Sequence, residues 1–139
     1  MDTFERAVER SRALARDGPA PTTLSRVALG AMVLLAGVHK VLDPGAWAVY
    51  VTDWLAPWLV VSPETFMLVN GVLEVGFGLA ILADRYTAFA AGVAAVSLTA
   101  TVGYLAVVWA LSGRFGDVLA RDVGLAGLAL AVAVAALRD

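Results

Sequence analysis

The sequence predicts an all-α membrane protein, a four-transmembrane-helix bundle with an outer interfacial loop or short helix. Three observations carry that expectation. Of its 139 residues 60% are hydrophobic and only 16% charged, where soluble domains hold about 25% charged residues. The excess gathers in four blocks, 22–42, 63–83, 86–111 and 118–137, each near the roughly 20 residues that cross a ~30 Å hydrocarbon layer as a helix. No block shows the continuous polar face of a helix lying on a soluble core, which speaks against the alternative of a soluble helical bundle with an apolar centre.

Residues 1–21 come first and differ from the rest. "MDTFERAVERSRALARDGPAP" has no apolar segment of the secretory kind, and it reads as a short charged helix broken at Gly18–Pro21. Phe4, Ala7, Val8, Ser11, Leu14 and Ala15 form an apolar stripe on it. It is expected either to lie against the membrane or a partner, or to be a solvated tail. The remainder, 22–139, is expected to form one transmembrane domain.

The first span ends in His39 and Lys40. A long link, Asp43–Pro63, follows with Trp47, Tyr50, Trp54 and Trp58 at helix-like spacing. Trp and Tyr favour the headgroup level, so an interfacial helix interrupted at Pro57 is expected, either as a plain anchor or as a lid over a site. The second and third spans meet in a tight turn at Ala83–Arg85, and the third and fourth in Ser112–Asp117; short links make antiparallel neighbours. Arg6, Arg10, Arg12, Arg16, Arg26, Arg85 and Arg138 fall on one side, against Lys40, Arg114 and Arg121 on the other. That seven-to-three split places both termini in the cytoplasm by the positive-inside rule, in a multi-pass protein of the cell membrane.

Composition also excludes chemistry. With no cysteine and a single histidine, His39, the chain has no thiol–disulfide chemistry, no metal site of several histidines and no haem held by two. A net charge of −2 without a basic cluster gives no reason to expect nucleic acid.

The second span holds the strongest chemical signal. Glu74 lies in "LVNGVLEVGFGL", with Asn70 one turn earlier. Ten Leu, Ile, Val and Phe residues between Phe66 and Leu82 favour insertion by roughly 3–6 kcal/mol, against roughly 3 kcal/mol for one central acid. The span can carry Glu74, but such groups usually turn inward and mark a functional site. Arg26, Gly30, Val33, Gly37 and Lys40 share one face of the first span, where glycines admit a close neighbour. Ser97, Thr101 and Tyr104 climb the third span toward Trp109, and Arg121 and Asp122 lie one turn into the fourth. All four spans thus offer polar groups to the outer half of one bundle, with Lys40 or Arg121 as the expected partner of Glu74. Milder readings stand beside these: Lys40 snorkels to the interface, Asp117 pairs with Arg121 along the helix, Ser97 and Thr101 bond carbonyls one turn back, and His39 has no partner.

The stretches "LSRVALGAMVLLAGVHKVLDP", "NGVLEVGFGLAILADRYTAFAAGVAAV" and "ARDVGLAGLALAVAVAAL" together resemble the DoxX-like membrane proteins, over about Leu24 to Leu137. The resemblance implies a compact four-helix membrane bundle and an association with quinone-linked oxidoreduction, including sulfur-compound oxidation. It carries over Arg26, Lys40, Glu74 and Asp122. The chain departs from a self-sufficient sulfur oxidoreductase in having no cysteine and no cofactor motif, so a partner oxidoreductase subunit is implied, or a substrate reacting with quinone directly. On this reading Glu74 is the catalytic proton carrier. His39, Lys40, Asn70, Tyr104, Trp109, Arg121 and Asp122 surround the quinone. The rival reading is a non-catalytic assembly subunit or homo-oligomer, resting on the small-residue ridge Ala120, Gly124, Gly127 and Ala131; a small-solute or proton carrier comes third.

Overall fold

The computed structural model describes residues 2–139. Six α-helices follow one another: α1 (Thr3–Asp17), α2 (Pro21–Leu42), α3 (Pro44–Ala48), α4 (Pro63–Leu82), α5 (Thr87–Ser112) and α6 (Gly116–Arg138). Four of them, α2, α4, α5 and α6, are long and apolar enough to cross a membrane, and their limits fall within two residues of the expected blocks. Large apolar side chains such as Leu35, Val72, Phe89, Val96 and Leu130 point outward, as a lipid-facing belt requires.

Each boundary has a local cause. Asp2 caps α1 by accepting the Glu5 N–H at 2.7 Å, while the Glu5 carboxylate accepts the Asp2 N–H at 2.9 Å, a reciprocal capping box. Prolines open α2, α3 and α4 at Pro21, Pro44 and Pro63, where a missing N–H costs nothing. Asp43 closes one helix and starts the next: its N–H donates to His39 O, and its side chain accepts from Ala46 N. The turn after α4 uses left-handed Asp84 and Tyr86, and Gly113 (φ +70°) ends α5.

The outer link departs from expectation. It holds one five-residue helix, α3, and a separate 3-10 turn at Ala56–Trp58. Pro57 therefore lies inside that turn rather than interrupting a longer helix, because a ring with no N–H is tolerated where the turn begins.

The spans associate as two antiparallel pairs, α2 with α4 and α5 with α6, and the pairs meet through α2–α6 and α4–α5 contacts. The apolar core lies toward the α4–α5 turn and is built of Leu29, Val33, Ile81, Ala90, Ala91, Ala95, Ala129, Val132 and Ala133. Lys40 and Glu74 lie toward the opposite end, beneath the outer link.

Candidate functional site: a lysine–glutamate pair under an aromatic cover

Two glycines set the site. A Cβ on Gly37 would lie 2.7 Å from both the Gly71 carbonyl oxygen and the Val75 nitrogen, and one on Gly71 would lie 2.7 Å from the Lys40 Cβ. Only glycine admits this approach, so the backbones of α2 and α4 touch. The same seam continues inward, where Gly78 meets Leu34 and Gly30 meets Leu82. On each helix the two glycines are seven residues apart, two turns of one face.

Lys40 leaves α2 at this contact and its Nζ donates to Glu74 Oε1 at 2.6 Å. The lysine side chain is 9% exposed and that of Glu74 24%. Desolvating either charge alone costs several kcal/mol, so the pair persists because each compensates the other. The second carboxylate oxygen, Glu74 Oε2, is buried and has no hydrogen-bond partner. Trp47 of α3 places its ring 4.6 Å from Lys40 Nζ, a cation–π contact.

The cover is tied down by its own hydrogen bonds. Trp47 Nε1 donates to His39 Nδ1 at 2.7 Å, which fixes the ring above the lysine. Tyr104 reaches from α5 to donate to the Tyr50 carbonyl at 2.6 Å, and accepts from the Thr52 N–H at 3.0 Å. Edge-on aromatic contacts run from Trp47 to Tyr50 and from Tyr50 to Phe115, and Trp54 lies against Tyr104. The link is thereby fastened to both helix pairs.

The expected convergence is thus narrower than four helices. Lys40 and Glu74 come together, and His39 covers them through Trp47. Tyr104 holds the outer link rather than facing the pair. Asn70 makes no side-chain hydrogen bond among the described residues. Trp109 packs against Gly116, where an added Cβ would meet its Nε1 at 2.8 Å. Arg121 pairs with neither Glu74 nor Asp117: its Nε donates to Asp122 Oδ1 at 2.9 Å, with Arg121 half exposed and Asp122 buried. Thr101 bonds the Ser97 carbonyl one turn back, the purely local arrangement.

A second polar cluster closes the opposite end. Arg26 Nη1 donates to the carbonyls of Ile81 and Leu82 at 2.8 and 2.9 Å, and its Nε lies 3.5 Å from Asp84 Oδ1. An α-helix leaves its last carbonyls without partners, and here an arginine from α2 satisfies those of α4. Thr87 donates to the same Asp84 oxygen at 2.7 Å. Sequence reasoning missed this cluster, although Arg26 and Asp84 are opposite charges predicted at one depth. Among the described residues no group of three His, Cys, Asp or Glu side chains could hold a metal ion.

These features define a class: a small multi-pass membrane protein of two helix pairs, with one charge pair buried between its first two spans. The DoxX family model matches residues 22–112, well over half of the chain, and the protein belongs to the DoxX family. The match takes in α2, α4 and α5 but stops before α6, so it is shorter than the resemblance read along the sequence and leaves Asp122 outside. No curated protein and no solved structure matches the chain.

Proposed function

We propose that this DoxX protein is a membrane subunit of quinone-linked oxidoreduction, with Lys40 and Glu74 as the polar end of a quinone site. The observation that carries the reading is Glu74 Oε2, a buried acceptor without a partner, beside an ammonium that has spent one of its three N–H groups on Oε1. Free ammonium N–H groups next to one free acceptor suit a ring oxygen that alternates between carbonyl and hydroxyl, and the donor set therefore fits a quinone head. A bound quinone supplies two-electron chemistry that no side chain of this chain provides. Lys40 binds and orients the oxygen, Glu74 accepts or returns its proton at Oε2, and the Trp47 ring shields the ammonium from water. Electrons arrive from a partner enzyme, with reduced sulfur compounds as the donor class the resemblance implies.

Purification in native lipid with measurement of bound quinone tests this. The wild-type chain is expected to carry stoichiometric quinone and the charge-neutral double variant Lys40→Met/Glu74→Gln to carry none. Equal content in both, or none in either, overturns the reading.

The same proposal places both termini in the cytoplasm of a cell-membrane protein, supported by the seven-to-three distribution of basic residues. Cysteine at Gly45 or Ser112 should then label from outside and at Arg85 only from inside; the reverse pattern inverts the topology.

A second reading, a non-catalytic assembly subunit, is favoured by α6. Ala120, Gly124, Gly127 and Ala131 are exposed, and a Cβ on either glycine would meet nothing within 4 Å. Such a face suits close packing of another helix. Cross-linking through Gly124→Cys to a distinct subunit, from a chain that carries no quinone, would select this reading.

A further inference from the structure

We propose that α1 is a membrane-surface helix whose apolar stripe is buried in the anionic leaflet on the side where both termini lie. The proposal is independent of the quinone reading. No residue of α1 is buried by the rest of the protein, and Phe4 and Leu14 are each 75% exposed. Yet α1 is a regular helix of 15 residues with a complete capping box, and an isolated helix of that length is marginal in water. Something beyond the described residues covers the stripe.

Position and charge point to lipid. Only residues 18–20 separate α1 from α2, a reach of about 10 Å at ~3.3–3.6 Å per extended residue. α1 is therefore held beside the point where α2 enters the bilayer. At 3.6 residues per turn, Phe4, Ala7, Val8, Ser11, Leu14 and Ala15 form one face. Arg10 and Arg12 border it on either side, and Glu9 points away from it. No side chain of α1 forms an ion pair among the described residues, so the bordering arginines are free to reach phosphates. An apolar face edged by cations is the pattern of a helix lying in the headgroup plane, with arginine stems along the apolar boundary and their heads in the polar layer.

The natural absence of cysteine makes the test direct. Full-length chains carrying single cysteines at Phe4, Leu14, Glu9 or Ala13 are labelled with an environment-sensitive fluorophore and placed in lipid nanodiscs, one chain per disc. In discs containing phosphatidylglycerol, labels at 4 and 14 should shift to the blue and resist aqueous quenchers, while labels at 9 and 13 should not. Replacing Arg10 and Arg12 by glutamate should weaken the shielded state by roughly fivefold or more per arginine, the attraction of one basic side chain to an anionic surface. High salt should weaken it in the same direction. Equal solvent access at all four positions overturns the proposal. So does shielding at 4 and 14 that appears only with two chains per disc, which would assign the stripe to a second copy. Shielding confined to native membranes and absent from pure lipid would assign it to a protein partner, and overturns the proposal as well.

Discussion

The α2–α4 pair and the α5–α6 pair use glycine in opposite ways. In the first, Gly30, Gly37, Gly71 and Gly78 all face the partner helix, and a Cβ on any of them would lie under 3.0 Å from a neighbouring atom. In the second, Gly92, Gly103, Gly124 and Gly127 face open space, and the core positions are alanines such as Ala90, Ala91, Ala129 and Ala133. Lipid tails are as apolar as the helices, so burial of hydrocarbon does not hold spans together; close packing and polar contacts do. The first pair uses both, and its backbone contact is what lets Lys40 reach Glu74. The second relies on small apolar side chains and, apart from Gly116 against Trp109, leaves its glycines for the surroundings.

Breaking the charge pair should have the largest effect. Lys40→Met or Glu74→Gln alone strands a buried charge and should cost about 3–5 kcal/mol, read as a fall in thermal stability in detergent. The double variant should recover most of that loss, and Arg121→Met on Glu74→Gln should recover none, since Arg121 pairs with Asp122. Recovery through Arg121 would relocate the pair to the second half of the bundle.

Next comes Gly37→Ala. The new Cβ would meet backbone atoms that cannot yield locally, so the helices must separate, at a cost of about 1–3 kcal/mol together with loss of the Lys40–Glu74 contact. Tyr104→Phe should cost about 1 kcal/mol and free the outer link, raising the labelling rate of a cysteine at Gly45. This variant separates the halves without touching either seam. The smallest effect belongs to Gly127→Ala, within about 0.5 kcal/mol in the isolated chain. A large loss there would mean that the outward face of α6 is already occupied by a second copy.

The four spans were legible because length and apolarity alone decide them, and Pro21, Pro63 and Gly113 mark their ends. Lys40 was legible as one of two partners for Glu74, since the glycines around it announce a close approach. The choice against Arg121 was not, because it depends on which pair of helices packs tightly. Adjacent residues on a helix do not normally face one another, so spacing alone favours Asp117 over Asp122 as the partner of Arg121. Depth alone points Tyr104 toward the site, but its hydroxyl bonds a loop carbonyl and a loop N–H, partners that no side-chain pattern reveals. The shape of the outer link was hidden for the same reason.

The arginine at the end of α4 bears on how the chain is made. Arg26, Lys40, Glu74 and Asp84 are two positive and two negative side chains, and all their ion pairs close within residues 26–84. The four charges that pair across the first helical hairpin are therefore balanced before α5 has been synthesised. A translocon can release it sideways as a finished unit, without holding an unpaired charge in place until the rest of the chain arrives.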